Sequence, residues 1–243
     1  MSTVIAESTP ATGVSGLLAR ARGIVIAPRR TFADVVARPA WIGMLVVTVA
    51  AGAAASSALL STETGQVALV DQQVRTLESF GQAVDDERYD ELEARSVYGG
   101  AIQAGEMIVG APLLAGLIAA GIYASHRARS PHVRFRQVLA VVVHSGVILA
   151  VQQLVLAPLN YVRETLSSPV NLAALLPMIE EGTLPARFLG MIDLFLVWWL
   201  AVLAIGLGVL YERRARQVMV RLFGVYVGLA LALAVAMAVA GGA

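Results

Sequence analysis

Three ionisable residues lie inside long apolar stretches of this chain: Glu106, His144 and Asp193. A charged side chain is costly in hydrocarbon, so each of these residues needs either a polar partner or a function. Two carboxyl groups that face each other there would hold a proton or share a cation. Two amides, Gln152 and Gln153, lie in a neighbouring apolar stretch at similar predicted depth. These five residues are therefore a candidate site for a proton, a cation or a lipid headgroup.

The same residues also have a structural interpretation. Polar side chains that hydrogen-bond between helices specify how those helices pack, and an aspartate such as Asp193 is favoured at the N-terminal end of a helix. A carboxyl close to the membrane surface also reaches water. We favour the structural interpretation, because Glu106 and Asp193 both lie near the predicted outer ends of their spans. A functional polar layer is the alternative.

Other kinds of site are excluded by what the sequence lacks. It contains no cysteine and three histidines, so we predict no transition-metal site and no cofactor. The motifs of nucleotide-binding loops, zinc proteases and serine hydrolases are absent as well, and we predict no catalytic residue. The 18 basic residues are all arginine, and membrane topology explains their positions without any nucleic-acid partner.

The elements that carry the candidate residues are predicted to be transmembrane helices. Hydrophobic residues make up 58% of the 243 residues, charged residues 14%, and the mean hydropathy is +0.73. A helix needs about 20 apolar residues to cross a bilayer, and its backbone must satisfy its own hydrogen bonds there. We therefore predict an all-α, polytopic membrane domain over residues 41–241. Its five spans are predicted at about 41–60, 99–125, 138–160, 188–211 and 222–240.

The arginines predict how the spans are oriented. Residues 1–40 carry five arginines, and residues 126–137 and 212–221 carry four each. Residues 61–98 carry three arginines and nine acidic residues. Arginine-rich loops stay on the cytoplasmic side of a membrane, so the N-terminus is predicted to be cytoplasmic and the C-terminus outside.

Three segments outside the predicted spans have distinct patterns. Residues 1–13 are small and polar, which indicates a disordered N-terminus. Residues 14–40 combine apolar residues with arginines and are divided by Pro28; this is typical of an amphipathic helix in the headgroup region, the alternative being an ordinary arginine-rich loop. Residues 61–98 predict one acidic amphipathic helix outside the membrane. That helix would pack either on the protein's own rim or on a partner.

Small residues in the last two spans are spaced for close helix contact. Gly224 and Gly228 form a G-x-x-x-G motif, and Ala204 with Gly208 forms a similar pair. Such pairs are frequent by chance in a chain rich in alanine and glycine. We therefore favour packing inside the bundle over a dimer seam.

Two short motifs resemble those of the Yip family, the Ypt/Rab-interacting membrane proteins. The first precedes span one and has a proline, a phenylalanine four residues later, and then a proline and an aromatic residue. The second, of the form Asp-x-Phe-x-x-Trp, opens the fourth predicted span. The positions that carry the resemblance are Pro28, Phe32, Pro39, Trp41, Asp193, Phe195 and Trp198.

The resemblance implies five spans, a cytoplasmic N-terminus and a non-enzymatic role. Eukaryotic members carry an Asp-Leu-Tyr-Gly-Pro motif that this sequence lacks, so Rab binding is not inferred. The expected function is a scaffold or accessory subunit in a bacterial cytoplasmic membrane. Its expected partners are the lipid bilayer and either other membrane proteins, such as transporter subunits, or further copies of the chain. The alternative is a small transporter or channel for protons, cations or lipids that uses the intramembrane acids.

Overall fold

The computed structural model describes residues 14–176, 178–179 and 183–240, and the predicted disorder of residues 1–13 lies outside this part. The described residues form helices and no strand. In chain order these helices are α1 (Val14–Ile26), α2 (Pro28–Ala37), α3 (Ile42–Leu60), α4 (Glu63–Ser79), α5 (Asp86–Ser96), α6 (Gly99–His126), α7 (Phe135–Ser145), α8 (Val147–Arg163), α9 (Leu184–Gly190), α10 (Leu194–Leu210) and α11 (Ala215–Ala240).

Four of these elements are long and apolar enough to cross a membrane: α3, α6, the consecutive pair α7–α8, and α11. The apolar helix α10 is shorter, with 17 residues. The chain is therefore an integral membrane protein with an all-helical fold. The span predicted at about 188–211 is divided into two helices in the structure. Helix α9 ends at Gly190, and α10 begins at Leu194.

The packed core surrounds α7 and α10. Helix α10 contacts α2, α7, α8 and α11, and most of its second half is buried. Gly206 lets α10 approach its neighbours closely, because a Cβ atom at this position would lie 2.7 Å from Val141 Cγ1 and 2.9 Å from Phe32 Cε1. The ring of Phe32 is fully buried in this contact. The core thus joins residues that lie more than 170 positions apart in the sequence.

Part of the apolar face of the N-terminal segment, which we predict to lie in the headgroup region, packs on the bundle. Pro28 does divide it, standing in the first turn of α2. Ile24, Phe32 and Val35 are buried in the core, and α2 packs on α10 and α7. The amide of Gln137 in α7 also donates a hydrogen bond of 3.2 Å to the Val36 carbonyl. The bundle therefore covers Ile24, Phe32 and Val35, whereas Leu18 and Ile26 of α1 stay exposed.

The acidic segment between α3 and α6 contains two helices, whereas the sequence predicted one. Helix α4 ends near Phe80, and Gly81 then adopts a left-handed φ of 75° that is strained for residues with a side chain. Asp85 starts α5 by accepting a hydrogen bond of 2.9 Å from the Arg88 backbone N–H. The turn at Gly81 therefore ends the apolar stripe of α4 before α5 begins.

The two pairs of small residues behave differently. Ala204 and Gly208 are buried in α10, which confirms internal packing for this pair. Cβ atoms at Gly224 and Gly228 in α11 would meet nothing within 4 Å, so the prediction of internal packing is wrong there. The G-x-x-x-G motif faces outward because α11 packs on α10 through another face, which includes Ala230 and Ala234.

The close approach at Gly206 makes a testable prediction. Gly206→Ala forces Val141 and Phe32 to move and is expected to lower the free energy of unfolding by roughly 1–3 kcal/mol. The matched change Gly228→Ala has open space and a better helix former, so it should be neutral or raise stability by up to about 1 kcal/mol. Thermal unfolding in detergent micelles compares the two variants. Equal stabilities would contradict the packing described for α10.

Candidate functional site

Asp193 lies at the break between α9 and α10 and is almost completely buried. Its Oδ1 atom accepts hydrogen bonds from the backbone N–H groups of Phe195, at 2.8 Å, and Leu196, at 3.3 Å. These are the N–H groups that a new helix leaves unsatisfied, so the carboxylate caps α10. Gln152 in α8 donates to the same oxygen at 3.2 Å, and the hydroxyl of Ser168 donates to Oδ2.

Further contacts fix the backbone on either side of Asp193. The Tyr226 hydroxyl of α11 donates to the Met191 carbonyl and accepts from the Asp193 backbone N–H at 3.4 Å. The backbone N–H of Leu194 donates to the Val170 carbonyl at 3.1 Å. The Asp193 cluster, defined as Gln152, Ser168, Asp193 and Tyr226, therefore joins α8, the following loop, α10 and α11.

The carboxylate of Asp193 is fully engaged in hydrogen bonds. Both carboxylate oxygens accept hydrogen bonds from neighbouring groups, as expected of a polar group that stabilises packing. Within the described residues, no group of three or more acidic, histidine or cysteine side chains is placed to hold a metal ion. The chemistry of the cluster is therefore that of a helix cap reinforced from three other segments.

The structure does not bring the five predicted site residues into contact with one another. Gln152 meets Asp193, but Gln153 points to another side of α8, where Ser56 of α3 donates to it at 3.4 Å. Glu106 is exposed on α6, which packs mainly on α3 and α7. Successive residues on a helix project about 100° apart, so the two glutamines could not share a partner.

His144 is fully buried in α7 and separate from the Asp193 cluster. Its Nδ1 donates a hydrogen bond of 2.7 Å to the Ala140 carbonyl, one turn earlier in the same helix. Its Nε2 has no hydrogen-bond partner among the described residues. The neighbouring Ser145 accepts a hydrogen bond of 3.1 Å from the Trp199 indole of α10. The polar contact between α7 and α10 is thus made by Ser145 and Trp199, which the sequence analysis did not single out.

Comparison with protein families finds one matching model, the Yip1 domain, over residues 22–238. The chain belongs to the Yip1 domain family. Comparison with curated proteins and with solved structures gives no match. The match includes α2 and α10 and so covers both motifs on which the resemblance was based, which confirms the expected family.

The motif residues of this Yip1 domain hold the bundle together. Pro28 starts α2 and Phe32 fills the core, while the Pro39 carbonyl accepts a 3.0 Å hydrogen bond from Arg136. Trp41 precedes α3 and packs on the core. In the second motif, Asp193 caps α10, and the Phe195 and Trp198 rings pack on the core with centroids 6.0 Å apart. Each motif position therefore has a structural role in the bundle.

Ser168 and Tyr226 were missed by the sequence analysis. Ser168 lies in the loop after α8, and serine is ordinary in loops. Tyr226 lies on α11, 33 residues after Asp193, where an aromatic residue in a span predicts no particular partner. Only the three-dimensional return of α11 beside α10 brings the hydroxyl to the helix break.

We expect Asp193→Ala to lower the free energy of unfolding by roughly 2–4 kcal/mol, because it removes the cap and leaves the half-buried donors of Gln152 and Ser168 without their acceptor. Asp193→Asn keeps an acceptor for the α10 backbone and should cost less. Thermal unfolding in detergent measures both.

The matched control is Asp85→Ala, which removes the exposed cap of α5. Its loss of stability should be clearly smaller, because water can satisfy the freed N–H groups. An Asp193→Ala variant that unfolds no more easily than the Asp85→Ala variant would show that the cluster does not stabilise the bundle.

Proposed function

We propose that this Yip1 domain is a non-enzymatic scaffold or accessory subunit that binds other membrane proteins, such as transporter subunits, or further copies of itself. The observation that carries the proposal is the position of Glu106. This carboxyl lies inside the apolar helix α6 and points away from the bundle. A carboxyl on a lipid-facing surface is costly, so an outward position favours a partner that supplies a hydrogen bond or a positive charge.

The surface around Glu106 suits a helix partner. Helix α6 is the least covered of the long apolar helices, because only 6% of the residues in its most apolar stretch are buried. One turn from Glu106, Gly110 has open space around it, and Val109, Leu113 and Leu117 are exposed. A glycine next to large apolar side chains lets another helix approach closely. We name this surface the α6 face, defined by Glu106, Val109, Gly110, Leu113 and Leu117.

A second contact surface is proposed on α5. Its first turn carries Asp86 and Glu87, and most of its charged side chains are exposed. Within the described residues the only ion pair joins Arg88 and Glu91 of this helix, at 2.6 Å. The remaining acidic side chains of α5 are thus available to a basic partner outside the membrane. Their negative charge would steer the association of that partner with the chain.

The proposed setting is the cytoplasmic membrane of a bacterium, with five spans that include α10 and a cytoplasmic N-terminus. Support comes from the arginines, because 13 of the 18 lie in residues 14–40 or in the segments that flank the α6–α7 and α10–α11 turns. Antiparallel helices bring these turns to one end of the bundle, together with the start of α3. An arginine-rich end is typical of the cytoplasmic side.

The alternative, a transporter that uses Glu106 and Asp193 together, has less support. Such a pathway needs the two carboxyls close to each other or to a shared channel. Asp193 instead caps α10 with its oxygens engaged, and Glu106 faces outward on a helix that packs mainly on α3 and α7. We therefore do not propose a transport site there.

Cysteine cross-linking in native membranes tests the proposal, and the natural chain has no cysteine to interfere. Val109→Cys places a thiol on the α6 face, and Val239→Cys places one on the exposed surface of α11 as a control for random collisions. We expect an adduct with a second membrane protein or a second copy from Val109→Cys and little from Val239→Cys. Adding Glu106→Leu should reduce the adduct at least about fivefold, because the proposed polar contact is lost.

Two results would contradict the proposal. One is an adduct yield from Val109→Cys no greater than that from Val239→Cys. The other is a yield that Glu106→Leu leaves unchanged, since this would separate the exposed carboxyl from partner binding. Glu106→Gln serves as the conservative variant and should retain more of the adduct than Glu106→Leu, because an amide can still hydrogen-bond.

A further inference from the structure

A polar pocket lies between α3, α4, α6 and α8, at the end of the bundle away from most of the arginines. Its cavity volume is about 150 Å³. Its polar lining comes from four helices and consists of one hydroxyl and four amide side chains, none of them charged. These residues, which we call the amide pocket, are Ser56, Gln72, Gln103, Gln153 and Asn160.

One group in the amide pocket lacks a partner. Asn160 is nine-tenths buried, and its Oδ1 has no hydrogen-bond partner among the described residues. A buried amide oxygen left unsatisfied costs roughly 1–3 kcal/mol, so native proteins rarely leave one without a donor. Asn160 Oδ1 is therefore expected to accept a hydrogen bond from an O–H or N–H group of a bound molecule.

The charge of the lining restricts the class of ligand. An anion would find no positive side chain in the amide pocket, and an ammonium group would find no negative one. Each amide offers both donors and an acceptor, and each hydroxyl does the same. Alcohol groups therefore match the lining best, because every hydroxyl can donate to one amide while it accepts from another.

Size and surroundings narrow the choice further. A cavity of about 150 Å³ corresponds to the volume of roughly five water molecules, which suits a glycerol unit or one sugar ring. An apolar groove of about 340 Å³ lies on the adjacent side of the contact between α3 and α8, and it shares Leu59 and Ala157 with the amide pocket. Apolar surface for acyl chains is therefore available next to the polar pocket.

We propose that the amide pocket binds a neutral, polyhydroxylated headgroup of a membrane lipid. The headgroup would donate a hydrogen bond to Asn160 Oδ1 and exchange further hydrogen bonds with Gln103 and Gln153. This site is separate from the α6 face and does not depend on partner binding there.

Native mass spectrometry of the full chain in a polyoxyethylene detergent tests the proposal, because this detergent carries no sugar. The probes are monoglucosyl diacylglycerol and phosphatidylcholine with the same acyl chains, together with free methyl glucoside. We expect one glucosyl lipid to bind in preference to phosphatidylcholine. Asn160→Leu and Gln103→Leu should each weaken this binding about tenfold, whereas Gln217→Leu, on the exposed surface of α11, should not change it.

The outcomes are distinguishable. Equal binding of the two lipids, or a glucosyl preference that survives both pocket variants, would overturn the proposal. Binding of methyl glucoside that both pocket variants abolish, without preference between the lipids, would also overturn the lipid headgroup as the ligand and would reassign the pocket to a free polyol. Because two pocket variants on different helices are compared, the loss of one through misfolding leaves the other as a test.

Discussion

The N-terminus of α10 imposes the constraint on which the rest of the bundle depends. A helix that starts among apolar side chains leaves backbone N–H groups without water to bind them, and each unsatisfied group is costly. Asp193 resolves this by accepting from the first N–H groups of α10. Its own charge is then balanced by donors from Gln152 and Ser168. One side chain thereby fixes the position of α10 relative to α8 and to the loop that follows α8.

The placement of α10 determines how the N-terminal segment folds. With α10 held at one end by the Asp193 cluster, Gly206 lies where the Phe32 ring can contact its backbone. Helix α2 then covers α10 and α7 and closes the arginine-rich end of the bundle. The two Yip family motifs thus act at opposite ends of the same helix, which gives a physical reason for their occurrence in one chain.

The approximate positions of the four long apolar spans and of the shorter α10 could be predicted from the sequence, because about 20 consecutive apolar residues indicate a helix that crosses a membrane. The direction each helix faces could not. Spans such as α6 and α10 are apolar on all sides, so no amphipathic pattern identifies the packed side. The prediction of internal packing for Gly224 and Gly228 was wrong for this reason. The outward position of Glu106 could not be predicted from the sequence for the same reason. The contacts of the N-terminal segment could not be predicted either, because a lipid surface and a protein groove select the same amphipathic pattern.

The central claim is that Asp193 serves structure through its contact with α8. A double-mutant cycle in detergent, with Asp193→Ala, Gln152→Ala and the combined variant, measures that contact directly through the free energies of unfolding. The account predicts that the combined loss is smaller than the sum of the single losses by about 1 kcal/mol or more, since each single change leaves the other group unpaired. Strictly additive losses would contradict it.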